Sequence, residues 1–330
     1  MSGSCWNCNY GVKDKSVITE NQYIRAFREM LNKYEGDVLV LEAWGSITDP
    51  KEFNPELFKK LFEMAVKEGR FEHIMIETHL TQIPESLVEE VSEINGGRKK
   101  IAFEVGLEDM DPENRKLINK LGVENTKLDE VYALLDKHGI TLSTNLIYGF
   151  PFMNEQERIE SVTSSVSKIA DQYPNAEVIL FLMSIKENTI LEQLHNLGIY
   201  QMPNPWGLVE TTRQIVDNDD IENLVTFSWF GEKENSVISE QLCYTCPECK
   251  PLLIDFFRNI NGDFSPDERK RLIQELYAHA DTLECRCHEK FKDQLQETDG
   301  KNPKQRYEDW LEEVGQYETF EQYLESEEQR

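Results

Sequence analysis

Short apolar segments alternate with amphipathic helical segments between residues 38 and 185. The apolar segments cover residues 38–43, 73–77, 101–106, 141–148 and 177–185. Short buried segments separated by helices are typical of βαβ units, whose strands lie in one parallel sheet. The alternation therefore predicts an α/β fold, with helices over about 20–34, 54–68, 84–95, 127–138 and 154–172. Parallel sheets of this kind bind ligands at the carboxyl ends of their strands.

Polar residues and glycines stand at four successive predicted strand ends. They are Trp44, Gly45 and Ser46; Glu77, Thr78 and His79; Glu104, Gly106 and Glu108; and Asn145 with Gly149, Phe150 and Pro151. For any single position, turn formation or helix capping is a sufficient explanation. Their recurrence at neighbouring strand ends favours a ligand site at this edge of the sheet.

Seven cysteines fall into two clusters, and none lies between residues 9 and 242. One cluster is the CxxC of Cys5 and Cys8; the other comprises Cys243, Cys246, Cys249, Cys285 and Cys287. In a reducing compartment, thiols two residues apart indicate metal or iron–sulfur ligands rather than disulfides, because a CxxC turn lets two thiolates converge on one centre. A redox CxxC or incidental core thiols are the alternative.

A CxxC turn before the first helix, followed by βα units with glycines and acids at strand ends, resembles the radical S-adenosylmethionine (SAM) superfamily. In that superfamily three cysteines hold a [4Fe–4S] cluster, SAM binds the open iron, and a 5′-deoxyadenosyl radical abstracts hydrogen from the substrate. The resemblance implies a partial parallel (β/α) barrel over residues 1–225. It also implies an electron donor such as flavodoxin or ferredoxin.

Several segments are similar to one branch, the radical-SAM subunit of archaeosine synthase and its Elongator-type relatives. They are residues 2–8, 45–46 with 49–50, 104–108, 118–120, 148–152 and 205–206, together with the C-terminal cysteines. The branch implies a modified tRNA base as substrate. Modification of a peptide or a small molecule is the alternative among radical SAM enzymes.

The resemblance assigns roles to eight positions of this sequence. Cys5 and Cys8 are cluster ligands, Gly45 and Ser46 contact the SAM amino group, Glu104 approaches the ribose, and Asn145, Ile147 and Gly149 flank the adenine.

The sequence departs from the family pattern because the family has three cluster cysteines and this chain shows two. In the common CxxxCxxC spacing the missing ligand falls on Met1, and the first barrel strand is also missing. We expect the strand and the cysteine upstream of Met1, since losing a barrel strand exposes an unpaired edge. The alternative is a relative that has lost its cluster and serves as an interaction protein.

Residues 226–295 are predicted to form a cysteine-rich metal-binding extension, with a strand at 228–230 and a helix from Phe264 to about Leu283. Its five thiols exceed the four that a tetrahedral site or a cluster needs. His288 could replace one of them, although an exposed bystander is the simpler interpretation. Structural zinc and a second iron–sulfur cluster both fit; the resemblance to an iron–sulfur enzyme slightly favours the cluster.

Residues 296–330 form a separate acidic segment, with eleven acids against four bases. Apolar residues recur there at spacings of three and four, which is typical of one amphipathic helical face. They are Tyr307, Trp310, Leu311, Val314, Tyr317, Phe320, Tyr323 and Leu324. Packing on the chain's own barrel and docking to a partner both remain open.

The net charge of −27 opposes unaided binding to nucleic acid, because a surface this acidic repels phosphate groups. The basic run Arg98–Lys100 resembles a solvated turn. A tRNA substrate therefore requires a basic partner subunit.

No apolar run is long enough for a transmembrane helix and no signal peptide is recognisable, so we expect a cytoplasmic protein without membrane contact. P-loop, GxGxxG, HExxH and GxSxG motifs are absent.

Overall fold

A computed structural model describes residues 5–8, 18–43, 45–218, 225–227, 240–241, 246–262 and 264–328. The strands are β1 (Val38–Leu41), β2 (His73–Thr78), β3 (Lys100–Glu108), β4 (Thr141–Tyr148), β5 (Glu177–Leu182), β6 (Ile185–Lys186), β7 (Val225–Phe227) and β8 (Glu240–Gln241). The helices are α1 (Glu20–Lys33), α2 (Pro55–Lys67), α3 (Glu85–Asn95), α4 (Pro112–Lys116), α5 (Asn125–Lys137), α6 (Glu155–Gln172), α7 (Ile190–Asn196), α8 (Pro205–Val216), α9 (Cys249–Ile260), α10 (Pro266–Ala280), α11 (Cys287–Gln294), α12 (Pro303–Val314) and α13 (Phe320–Glu328). Among these helices, none has the length and hydrophobicity needed to cross a lipid bilayer.

Six strands form one sheet in the order β1-β2-β3-β4-β5-β7, and every neighbouring pair is parallel. The strands β6 and β8 form a separate two-residue antiparallel pair. This arrangement confirms the predicted α/β fold with a partial parallel barrel. Among the described residues, β1 is an edge strand, because it pairs only with β2.

The predicted strands and long helices between residues 20 and 185 all form, with bounds that differ by a few residues. The predicted strand at 228–230 lies outside the described residues, and the strand found nearby is β7. The short helices α4, α7 and α11 were missed, because five to eight residues carry too little periodicity to be recognised.

The two faces of the sheet differ in chemistry. Strand side chains on one face, such as Ile74, Phe103 and Leu142, are buried in the main hydrophobic core, which also takes in residues of the helices. The opposite face, which we call the inner face, carries polar residues in register: Glu77 pairs with Glu104, and Glu104 pairs with Ser143. Residues aligned across parallel strands point to the same side, so these side chains share one layer.

The acidic C-terminal segment forms two helices, α12 and α13, rather than the single continuous face predicted from its periodicity. It packs on the chain itself: Trp310 and Tyr323 are buried in a second hydrophobic core, which also contains Trp6 and Ile147. Leu311 is the exception, because it is 42% exposed.

A buried ion pair fixes the loop that follows β4. Glu155 pairs with Arg158 at 2.6 Å, and accepts hydrogen bonds from the Tyr148 hydroxyl at 2.6 Å and from the Asn204 amide at 3.0 Å. Arg158 in turn donates to the carbonyl of Phe150 at 3.3 Å. Because both charged partners are buried and satisfied, removing either one would leave a costly unpaired charge.

Gly149 begins that loop at φ +116°, and a Cβ atom there would lie 2.5 Å from Pro203 Cγ. We therefore expect Gly149→Ala to lower the free energy of unfolding by roughly 2–4 kcal/mol, through backbone strain and a steric clash. Chemical denaturation measures the change.

Gly198→Ala is the matched control, because Gly198 also has a positive φ of +74° but has no atom within 4 Å of the added methyl group. It should cost only about 1 kcal/mol. Equal losses in the two variants would contradict the role of the Pro203 contact.

Candidate cofactor site and metal centre

The Cys5–Cys8 segment forms a turn, closed by a hydrogen bond from the Cys8 amide to the Cys5 carbonyl at 3.1 Å. Its backbone is held from two sides: the Trp6 amide donates to Ile118 at 2.9 Å, and the Trp6 carbonyl accepts from Leu191 at 3.1 Å. The two thiols lie beside Lys120, whose partner Glu108 is the last residue of β3. The turn geometry suits two ligands of one metal centre.

A nearly buried ion pair lies beside the thiols. Lys120 Nζ is 2.9 Å from Glu108 Oε1, and Glu108 is held at φ +72° where the β3–β4 register shifts. Burial raises the pKa of the Cys5 thiol to about 11, and the charge of Lys120 partly offsets this rise. Burial alone would lower the pKa of Lys120, but Glu108 and the Cys5 thiol raise it overall. Lys120 is thus a fixed positive charge beside the thiol pair.

The Gly45–Ser46 turn follows β1 and covers the end of β2. Ser46 is 1% exposed, its Oγ lies 2.6 Å from Thr78 Oγ1, and its amide donates to Glu52 at 2.6 Å. Gly45 has φ +112°, and a Cβ atom there would lie 2.3 Å from Glu52 Oε2. Only glycine fits this position, because a side chain would displace the carboxylate that holds the turn.

The other predicted cofactor residues gather on β3 and β4. Glu104 is 7% exposed and accepts a hydrogen bond from Asn145 Nδ2 at 2.9 Å. Ile147 follows on the inner face of β4 and belongs to the same hydrophobic core as Trp6, while Gly149 stands just beyond the strand. The Oδ1 atom of Asn145 is buried without a hydrogen-bond partner. The structure therefore brings Glu104 and Asn145 together in the middle of β3 and β4, and it places Ile147 with Trp6 of the Cys5–Cys8 turn.

The sequence placed Glu77 among the polar residues at the predicted strand ends but gave it no specific role, and it did not single out Glu42. Burial, the charge of Glu104 and a hydrogen bond with Glu42 together raise the pKa of Glu77 to about 8. Burial also raises the pKa of Glu104. The sequence signal for Glu77 was only its position at the end of the second predicted strand; its pairing with Glu104 comes from the register of β2 and β3 in the folded sheet.

The residues at this site fit an iron–sulfur cluster with bound SAM only in part. Cys5 and Cys8 offer two thiolates beside a buried cation, and Asn145 Oδ1 is an unused acceptor for a polar ligand. Within the described residues, no third thiol stands near this pair.

The C-terminal extension brings four thiols together. The sulfur atoms of Cys246, Cys249, Cys285 and Cys287 all lie within 4.8 Å of one another, and Cys249 Sγ is 3.1 Å from Cys285 Sγ. The Cys249 amide donates to Cys246 Sγ at 3.4 Å, a bond that orients the lone pairs of the sulfur. This group could bind a metal ion. Cys243, the fifth predicted ligand, lies outside the described residues.

The interpretation of His288 as an exposed bystander is wrong in one respect. Its ring is buried and lies 4.7 Å from the Trp206 ring and 5.0 Å from the Tyr277 ring. Burial lowers the pKa of His288, which favours the neutral imidazole. The residue therefore packs α11 against α8 and α10.

Two curated archaeal proteins are similar to this chain, and both are named archaeosine synthase subunit beta. The protein from Thermococcus kodakarensis is 28% identical over 215 residues, covering 63% of this chain and 64% of the relative. The protein from Methanosarcina acetivorans is 24% identical over 305 residues, covering 89% of this chain and 81% of the relative. The match thus spans less than two thirds of the first relative. These similarities confirm the resemblance predicted from the sequence.

No family model matches the chain. Among solved structures, coproporphyrinogen III oxidase of Escherichia coli, described as a radical SAM enzyme, has a TM-score of 0.43 and 15% identity, covering 64% of this chain and 48% of its own. Methylornithine synthase has a TM-score of 0.47 and 14% identity, covering 85% of this chain and 82% of its own.

The raised pKa of Glu77 predicts a pH dependence of stability. The folded chain holds a proton on Glu77 up to about pH 8, whereas an unfolded glutamate loses it near pH 4.5. The folded state therefore binds more protons between these values, and stability falls as pH rises through this window. Glu77→Gln should leave stability unchanged at the acid end and raise it by roughly 1–3 kcal/mol at pH 8.

Denaturation between about pH 4 and pH 8.5 measures this difference. Glu89→Gln is the control, because it makes the same side-chain change at a glutamate that is exposed on α3. A pH dependence of Glu77→Gln parallel to that of the unmodified protein would contradict the assignment.

Proposed function

We propose that the chain is a radical SAM enzyme subunit whose Cys5–Cys8 turn supplies two ligands of a [4Fe–4S] cluster. The observation that supports this most is the placement of both thiols beside the Lys120–Glu108 ion pair, at the carboxyl end of β3. The similarity to archaeosine synthase subunit beta supports the same conclusion. When bound, the cluster and SAM supply a carbon radical that abstracts hydrogen.

The residues of this chain would bind and orient the cofactor. Lys120 places a positive charge beside the thiolates, which stabilises an anionic cluster. The Glu104 carboxylate can accept hydrogen bonds from ribose hydroxyls, as it now accepts one from Asn145. Gly45 and Gly149 shape the two turns beside the sheet, because both have a positive φ and an added Cβ would meet Glu52 and Pro203, respectively.

We further propose a modified tRNA base as the substrate, which requires a basic partner subunit. The net charge of −27 disfavours unaided tRNA binding. The basic run at 98–100 is reduced to two exposed cations, Arg98 and Lys100, because Lys99 Nζ donates to the Glu68 and Phe71 carbonyls. The relatives are themselves named subunits. A flavodoxin or ferredoxin would supply the electron, and the free thiols suit a reducing cytoplasm.

Electron paramagnetic resonance of the dithionite-reduced, anaerobically purified protein tests the enzyme proposal. The protein should be produced from its gene with any in-frame upstream sequence included. We expect a [4Fe–4S] signal that changes when SAM is added and is lost in Cys8→Ala.

Cys285→Ala is the control for this experiment and should keep the SAM-responsive signal. A protein without iron, or with a signal indifferent to SAM, would instead support a non-catalytic interaction protein.

The C-terminal thiols favour a single zinc ion over a second iron–sulfur cluster. In a tetrahedral site with Zn–S bonds of about 2.3 Å, sulfur atoms are about 3.8 Å apart. The four sulfur atoms here all lie within 4.8 Å of one another. A cubane cluster places each thiolate on a different iron, so its four sulfur atoms stand farther apart. We propose structural zinc, with Cys243 outside the ligand set.

Metal analysis by mass spectrometry tests this assignment. We expect about one zinc per chain. Cys249→Ser should lose it, together with several degrees of melting temperature, because structural zinc contributes directly to folding. Cys243→Ser should retain both. Zinc lost equally in both variants, or iron in place of zinc, would contradict the four-ligand site.

A further inference from the structure

The C-terminal helices α12 and α13, which we call the C-terminal clamp, contact the Cys5–Cys8 turn through one side chain. Trp6 stands between the two cysteines and is 8% exposed. Its ring lies 5.3 Å from the Trp310 ring in an edge-to-face arrangement and 5.8 Å from the Tyr307 ring. Such aromatic pairs are worth about 0.5–1.5 kcal/mol each beyond the area they bury.

The clamp is itself fixed to the strand-end loops. Arg306 donates to the Phe152 carbonyl at 2.7 Å and pairs with Glu157 at 2.7 Å. Lys304 reaches Glu113 on α4 at 3.3 Å. The first helix of the clamp is therefore anchored to α4, to α6 and to the loop after β4.

The position of Trp310 is also determined from within the clamp. Its indole Nε1 donates to the Tyr323 hydroxyl at 3.2 Å, and Tyr323 is only 1% exposed. On the other side, its ring lies 5.6 Å from the ring of Phe152, a residue held at φ +63°. A ring fixed on both sides can hold a third ring in place, because interiors are close-packed and resist rearrangement.

We infer that Trp310 and Tyr307 are positioning residues for the Cys5 and Cys8 thiols, acting through Trp6. The turn has few other attachments: the described backbone contacts are those of Trp6 with Ile118 and Leu191. Without these aromatic contacts, the Trp6 side chain between Cys5 and Cys8 would no longer be held in place. The inference rests on the proposed function only where it assigns a cluster to these thiols.

Thiol alkylation tests the contact independently of the cluster. Protein produced in iron-limited cells is treated with limiting iodoacetamide, and modification of each cysteine is followed by peptide mass spectrometry. Trp310→Ala should speed alkylation of Cys5 and Cys8 at least about threefold, because these half-buried thiols lose the packing that limits access of the reagent. Cys246, Cys249, Cys285 and Cys287 should change less than about twofold, because the mutation is not in their site.

Leu311→Ala is the matched control, since Leu311 is the next residue of the same helix and is 42% exposed. It should leave all rates unchanged, and Trp310→Phe should restore most of the protection of Cys5 and Cys8. Equal rates in Trp310→Ala and Leu311→Ala would overturn the inference. So would a rise at all six thiols in Trp310→Phe, which would show general unfolding.

Iron retention separates this inference from the proposed function. In iron-replete protein, Trp310→Ala should release iron to a chelator faster than Leu311→Ala does. If the unmodified protein holds no iron at Cys5 and Cys8, the proposed function fails, while the alkylation result still decides whether the clamp positions the thiols.

Discussion

Parallel strand pairing is the constraint on which the site depends. Because the register aligns Glu77 with Glu104 and Glu104 with Ser143, polar side chains from successive strands meet on one face. The other face is covered by helices and holds the main core, so the polar face cannot exchange places with it without loss of that core. A one-residue slip of β3 would bury Glu104 among the helices and turn Phe103 inward.

The two groups of cysteines lie in different surroundings. Cys5 and Cys8 lie beside a buried lysine and near unsatisfied polar groups, a setting suited to an exchangeable ligand. The four C-terminal thiols lie close together between α9, α10 and α11, a setting suited to a closed structural site. His288 belongs to the packing of these helices rather than to the ligand set, because aromatic rings flank it.

Much of the fold could be predicted from the sequence, because buried parallel strands are continuous apolar runs and β4 was predicted with the bounds that it has. The contact between Glu104 and Asn145 could be expected, because the sequence places the two residues on successive predicted strands. The importance of Glu77 could not, because it depends on register and on desolvation by neighbouring side chains. The contact between Trp6 and Trp310 could not be predicted either, since no local pattern links the two ends of a chain.

That contact also bears on the order of events during synthesis. Trp6 and Trp310 are separated by about 300 positions, so they cannot meet until nearly the whole chain has left the ribosome. The strands of the sheet can pair one after another as the chain emerges from the ribosome. The Cys5–Cys8 turn completes its contacts last, because Trp310 is made last. The cluster proposed at these two thiols would therefore be completed late, after the sheet has folded.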